Sequence, residues 1–363
     1  MTEPWKPRSF EAEAVYRARV RGCLLGGAVG DALGYPVEFL SLDRIRAAHG
    51  PRGVTHYVPD GDNILGRVSD DTQMTLFTVE GLRQIKESER LGRRQVERTR
   101  VIRWAYDRWL HTQTVPRPDG GPAYEGPSGG LVDEPWLYAR RAPGSACLSG
   151  LGVPHSDAAW SELGEPGRVN PDSKGCGTVM RSAPFGLTGA DPGTAFGFAA
   201  RCAQLTHGHP TGYYAAGAFA AIVAHLVRGE SLEAAVLRTL RLLAPYPRHE
   251  ETATALRRAL ELASYDGAHA SKVEELGEGW VAEEALAMAV YAALAEPDVE
   301  SALLLSVNHS GDSDSTGSLC GNLLGVMHGD LALPQRWVEQ VEGRARIAAL
   351  ADDFAAEWAG RAR

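Results

Sequence analysis

The chain has 363 residues, 44% of them hydrophobic, enough to build one large domain or two modest ones. Its 37 basic and 46 acidic residues give a formal net charge of -9, which leaves no general electrostatic footprint for nucleic acid. Five cysteines, Cys23, Cys147, Cys176, Cys202 and Cys320, are odd in number and show no paired spacing, so they point to reduced thiols and to neither a disulfide frame nor a zinc ribbon.

Residues Met1 to Phe10 are polar and contain proline, without the apolar centre of a signal peptide. The longest apolar stretch, Tyr213 to Val227, is interrupted by His225 and falls short of the ~20 residues that cross a bilayer. A soluble cytoplasmic protein with no membrane partner is the expectation.

From Ala14 to Leu33 the apolar positions Val15, Val20, Leu24, Leu25, Val29 and Leu33 recur at threes and fours, which predicts a helix. Gly22, Gly26, Gly27 and Gly30 each weaken it, so their use is either the close approach of another backbone or ligand, or tight helix packing. Gly34 and Pro36 stop the helix and set Glu38 just beyond its end. A short helix over Asp43 to His49 and a small strand over Val54 to Val58 come next, before the loop Pro59 to Asn63.

The first acid cluster, Ser69-Asp70-Asp71-Thr72, precedes a helix from about Asp70 to Lys86. A second helix, from about Arg93 to Thr112, carries Trp104 and Trp109 into the core. The stretches 113–135 and 143–172 are rich in Gly and Pro and predict long loops, at least one of which borders the active site.

Ser173-Lys174-Gly175-Cys176-Gly177-Thr178-Val179-Met180-Arg181 joins small residues, a cation and an apolar continuation that can begin a helix. Backbone N–H groups of such a turn suit phosphate oxygens, although the spacing matches neither a Walker loop nor a dinucleotide fingerprint, and an ordinary tight turn competes. Ala195 to Val227 predicts two buried helices joined at Thr206-His207-Gly208-His209-Pro210. The two histidines are two residues apart, the wrong spacing for a zinc pair on one helix face. Hydrogen bonding to a substrate and capping of a helix end remain as their uses.

Helices are predicted over Leu232 to Leu243, Glu251 to Ala263, Val281 to Ala295, Val299 to Val307, Thr316 to Met327 and Gln335 to Trp358. One strand in the whole chain defines an all-α class, and one domain over residues 1–363 fits better than two, with a core over about 14–330 and a C-terminal helix over about 335–358.

The second acid cluster, Gly311-Asp312-Ser313-Asp314-Ser315-Thr316, lies far from the first. Taken singly, either cluster suits a helix cap, because Ser or Asp there accepts from free backbone N–H groups and complements the helix dipole. One cap needs one acid, however, and no Lys or Arg near in sequence compensates the rest. Together the clusters predict a site for divalent metal built from oxygen ligands only, as Mg2+, Mn2+ or Ca2+ prefer. A calcium loop starting at Asp312 fails, because Leu323 stands where that motif needs Glu. An aspartyl-phosphate phosphatase fails as well, because the residues that follow are helical and lack an α/β body.

Gly26-Gly27-Ala28-Val29-Gly30-Asp31-Ala32-Leu33-Gly34 with Glu38, Ser69-Asp70-Asp71-Thr72 and Gly311-Asp312-Ser313-Asp314-Ser315 together resemble the ADP-ribosylglycohydrolase family. Lys174 to Arg181 and Thr206 to Pro210 are similar to family segments in the same order, so the resemblance runs from about Val15 to about Met327. It implies a single large orthogonal helical bundle with a dinuclear metal cleft, holding two Mg2+ ions with Mn2+ as the alternative. It implies hydrolysis of the bond joining ADP-ribose to a modified side chain.

Carried over residue by residue, the resemblance puts Ser69, Asp70, Asp71, Asp312, Asp314 and Ser315 at metal-ligand positions, and Glu38 as an acid close to the ions and the scissile bond. Glu38 or a first-cluster acid, Asp70 or Asp71, is then the base. The same likeness puts Ser173, Lys174, Gly175, Cys176 and Gly177 on the diphosphate loop and His207 beside the bound nucleotide. The chain departs from one common form of the family, which has Asn where Cys176 stands. The expected substrate and partner is an ADP-ribosylated protein. The Thr206 to Pro210 turn with Thr211-Gly212 is similar to arginine-acting members, against two alternatives: another ADP-ribose linkage (serine, a nucleic acid base or a small metabolite), and a non-catalytic ADP-ribose-binding relative.

Overall fold

The glycines of the first helix recur every fourth residue, so they form one side chain-free stripe along it. In the computed structural model, which describes residues 5–7, 9–93, 96–119, 130–154, 160–265 and 267–359, that stripe meets a second one. The helices are α1 Phe10–Gly34, α2 Leu42–His49, α3 Asp70–Arg90, α4 Arg98–Thr114, α5 Ser145–Gly152, α6 Ala183–Leu187, α7 Pro192–Ala203 and α8 Pro210–Leu226. They continue with α9 Leu232–Leu243, α10 Glu250–Ala263, α11 Ala270–Glu274, α12 Ala282–Ala295, α13 Val299–Val307, α14 Ser313–His328, α15 Gln335–Gln340 and α16 Arg344–Ala359. Among the described residues there is no strand, only an isolated bridge between Gly175 and Val281, so the class is all-α as the sequence predicts.

Helices α1 and α14 run in opposite directions with Gly22 against Gly325, Gly26 against Gly321, Gly30 against Gly317 and Gly34 against Ser313. The backbones approach so closely that a Cβ on Gly26 would stand 2.3 Å from the Gly321 carbonyl oxygen and one on Gly30 1.9 Å from that of Gly317. The glycines therefore serve the approach of another helix. Asn322 fills the space beside Gly27 and donates from Nδ2 to the Cys23 carbonyl at 2.7 Å.

Helix α8 is apolar on every side and is buried between α6, α7, α9 and α12, so the longest apolar stretch of the chain is the centre of the bundle. No helix among the described residues is long and apolar enough to cross a membrane. Helices α3 and α4 are joined internally by Arg108, whose Nε donates to Glu80 at 2.7 Å with both side chains buried.

Two expectations are corrected. Val54 to Val58 is irregular, because Val54 finds its hydrogen bonds on one side chain: its N–H donates to Asn308 Oδ1 at 2.7 Å, and Asn308 Nδ2 donates back to its carbonyl at 2.9 Å. That satisfies the backbone without a partner strand. The predicted Gln335 to Trp358 helix is two helices, α15 and α16, separated at Gly343, where φ is +68° and the Trp136 ring occupies the place of a side chain. Part of the 113–135 loop lies outside the described residues, as does part of 143–172.

Gly30→Ala should destabilise the protein by roughly 1–3 kcal/mol or more, because neither backbone can yield, whereas Gly197→Ala in α7, with open space around it, should be neutral or stabilising by up to about 1 kcal/mol. Thermal denaturation of the two variants compares them; equal melting temperatures would show that the α1–α14 contact is not tight.

Candidate active site

The α1–α14 contact ends at Gly34 and Ser313, which brings the exit of one helix to the entrance of the other. After α1 a single 3-10 turn, Tyr35–Val37, delivers Glu38. Across from it Asp312 caps α14, its Oδ1 accepting from the Ser315 N–H at 3.3 Å, and Asp314 Oδ1 accepts from the same N–H at 3.0 Å.

The third element is held by Asp31. Its carboxylate accepts from the N–H groups of Ser69 at 2.9 Å and Thr72 at 3.1 Å and from the Thr72 hydroxyl at 2.5 Å. An acid on α1 thus binds the free N–H groups at the start of α3, where the helix dipole favours it. Ser69 Oγ accepts from the Asp71 N–H at 3.2 Å. Capping and clustering are therefore not rivals; residues that cap α3 and α14 are the ones that meet.

Glu38, Asp70, Asp71, Asp312, Asp314 and Ser315 line one cavity of about 390 Å³, and single oxygens of Glu38, Asp312 and Asp314 lie within 4.8 Å of one another. Ser69 is fully buried behind this wall, hydrogen-bonded to Asp314. No Lys or Arg lines the cavity among the described residues. Burial, and after it the charge of Asp314, pushes the carboxyls of Glu38, Asp70, Asp71 and Asp312 far above their ordinary range. Asp31 is pushed up to about 7 by burial and then by Asp314, against the lowering effect of its bonds to Thr72 and Ser69.

Glu38 Oε2 and Asp71 Oδ2 are buried and, among the described residues, have no hydrogen-bond partner. Crowded acids, serine hydroxyls and unpaired buried oxygens, with no Lys or Arg among the described residues that line the cavity, are the donor set of a hard divalent cation, so these residues fit a metal of the Mg2+ class.

The opposite wall is Ser173, Gly175, Cys176, Gly177 and His207, with Met180 beneath. Cys176–Thr178 forms a 3-10 turn, and the helix expected after it is delayed to α6. A side chain on Gly177 would strike Cys147 Sγ at 2.6 Å, so the turn is pressed against α5. The Cys176 thiol lies beside Asp312 and Ser315 and is held protonated by burial and then by Asp312 and Asp71.

Lys174 is not in the cavity. Its Nζ pairs with Glu251 on α10 at 2.7 Å and with Glu283 on α12, leaving only its backbone to the loop. The two histidines divide: His209 Nδ1 caps α8 by accepting from the Thr211 N–H at 3.2 Å, whereas His207 faces the cavity.

The part played by Asp31 and the pairing of Phe39 with Trp280 have no signal in local sequence. Asp31 is one residue of a glycine-rich helix until α3 is placed against it. Residues Ala142 to Ala146 form a rim, so the second Gly- and Pro-rich stretch does border the site. Phe39 and Trp280 stack at 5.2 Å and 17° at the mouth, with Phe39 67% exposed and its backbone at φ +67°, a conformation a bulky residue adopts only when its surroundings hold it there.

A family model described as ADP-ribosylglycohydrolase matches residues 12–363. The chain belongs to the ADP-ribosylglycohydrolase family and is a hydrolase of glycosidic bonds to ADP-ribose. It is 28% identical over 338 residues to an uncharacterized protein of Archaeoglobus fulgidus, covering 92% of this chain and 94% of that one. It is 23% identical to the ADP-ribosyl-[dinitrogen reductase] glycohydrolase of Rhodospirillum rubrum, over 89% of this chain and 90% of the relative. It is 22% identical to the ADP-ribosylarginine hydrolase Tri1 of Pseudomonas putida, over 93% and 77%. A solved structure of an ADP-ribosylglycohydrolase-related protein complex superposes with a TM-score of 0.64 at 25% identity, over 96% of this chain and all of that one.

A carboxyl whose pKa is raised by folding keeps a proton that the unfolded chain has released, so the cation-free protein loses stability as pH rises from 3.8 towards about 7, the span of Asp31. The melting temperature of chelator-treated protein should therefore fall between about pH 5 and about pH 8, and added Mg2+ should raise it more at the higher value. A melting temperature that climbs with pH in chelator would mean these acids ionise without cost.

Proposed function

We propose that the chain is a Mg2+-dependent hydrolase that cleaves the N-glycosidic bond of ADP-ribosyl-arginine on a modified protein. The observation that carries the metal is the acid wall with two unpartnered buried oxygens and no cationic side chain. Ser69, Asp70, Asp71, Asp312, Asp314 and Ser315 would hold two ions, and Mn2+ is the other cation this oxygen set suits. Bound there, the metal supplies a Lewis acid that polarises oxygens and lowers the pKa of water.

The chain's own groups divide the remaining work. Ser173, Gly175, Cys176 and Gly177 offer a narrow turn for the diphosphate, with His207 at its side. Glu38, at the junction of acid wall and aromatic mouth, is placed to accept or return a proton at Oε2 as the linked nitrogen leaves, with Asp70 and Asp71 as the other candidates. The Phe39–Trp280 stack next to it suits a planar guanidinium, which lies flat on aromatic faces. Arginine is further supported by the Tri1 relative, which spans most of the chain. The five free cysteines fit a reducing compartment, the cytoplasm.

The test is release of ADP-ribose from proteins modified on arginine and, separately, on serine, with and without chelator. Arginine-linked substrate should be consumed at least about tenfold faster, chelator should abolish turnover, and Asp312→Asn should cost about 100-fold or more. Preference for serine would overturn the linkage, and full activity in chelator would overturn the metal.

A further inference from the structure

Arg181 is 1% exposed, and among the described residues no carboxylate pairs with it. Its guanidinium lies 4.4 Å from the Tyr106 ring centre and meets Met74 Sδ and Cys147 Sγ at 3.4 and 3.5 Å. Among the described residues its one oxygen partner is Thr206: Nη2 donates to Thr206 Oγ1 at 2.6 Å. A buried, unneutralised cation is costly, which asks what its charge does there.

The same Thr206 oxygen lies 2.8 Å from His207 Nδ1. Arg181 can only donate, so Thr206 Oγ1 must accept from it and has a single proton left to give. The competing acceptor, the Ala203 carbonyl, is at 3.4 Å. Were Nδ1–H the donor, the hydroxyl proton would be left with that long contact alone; giving it to Nδ1 instead makes the good bond, which favours Nδ1 as the acceptor and the ring proton on Nε2.

That Nε2 edge faces the anion turn: a Cβ on Gly175 would stand 3.3 Å from it and one on Gly177 3.4 Å. Among the described residues no protein group hydrogen-bonds to Nε2, and His207 lines the cavity. Protonation of the second nitrogen is opposed by burial and then by Arg181, which hold the imidazole pKa near about 3.

We propose that Arg181 acts through Thr206 to lock His207 as the neutral Nε2–H tautomer, so that one fixed donor meets a diphosphate oxygen of ADP-ribose lying on the Ser173–Gly177 turn. Arg181 and Thr206 are positioning residues. The buried guanidinium also sets a positive pole behind the turn, opposite the acid wall, so a ligand carrying a diphosphate at one end and a metal-bound sugar at the other is oriented in one direction. The proposal rests on the reading of that turn as the diphosphate site.

Long-range proton–nitrogen NMR correlations of His207 read the tautomer without any substitution, and calorimetry with free ADP-ribose reads the consequence. The wild-type spectrum should show an unprotonated Nδ1 and a protonated Nε2. Thr206→Val and His207→Ala should each weaken ADP-ribose binding about tenfold, the loss of one hydrogen bond to a charged group, with the double variant no weaker than either and Thr206→Ser retaining both tautomer and affinity. An Nδ1–H tautomer in the wild type, or additive losses in the double variant, would overturn the relay. Failure of the wild type to bind ADP-ribose would instead overturn the diphosphate site, and the spectrum would still decide the tautomer by itself.

Discussion

Everything in the site depends on two helices lying backbone to backbone. Ordinary helix pairs are kept 8–10 Å apart by their side chains, and glycine on both faces removes that spacer between α1 and α14. Because the contact is between main chains, it has no rotamers to relax into and fixes axial register as well as distance. The exit of α1 and the entrance of α14 are thereby set opposite each other, and Glu38 faces Asp312 and Asp314 as a result.

Folding so many acids into one wall runs against their electrostatics. The bundle tolerates it in two ways: helix starts supply N–H groups to Asp31, Asp312 and Asp314, and burial keeps the remaining carboxyls protonated while no cation is present. Neither satisfies Glu38 Oε2 or Asp71 Oδ2. The fold thus holds these oxygens in place before their charge is developed, the arrangement that a preorganised cation site would require. Behind the far wall the polarity reverses, with Arg181 buried and, among the described residues, no carboxylate paired with it.

Much of this was legible in the sequence, and the parts that were not share one cause. Leu232–Leu243 and Val299–Val307 have the bounds that periodicity predicts, because amphipathic spacing and caps are local. The two acid clusters announce themselves because their neighbours supply no counter-charge. Val54 to Val58 reads as a strand, but its hydrogen-bond partner is Asn308, a side chain 254 residues away. Lys174 reads as an anion ligand, yet Glu251 and Glu283 claim it from two other helices. Asp31, Phe39 and Trp280 take their places around the cavity only by what the fold sets beside them, and no window of sequence contains that.

The bridge between Gly175 and Val281 ties the Ser173–Gly177 turn to the segment that carries Trp280: the Cys176 N–H donates to the Trp280 carbonyl at 3.1 Å, and the Ala282 N–H to the Lys174 carbonyl at 2.9 Å. Those two flanks of the cleft are therefore stitched into a single unit and cannot swing apart without losing both bonds. Trp280 at the mouth and the Ser173–Gly177 turn therefore keep a constant spacing, and any displacement of one face of the entrance carries the other with it.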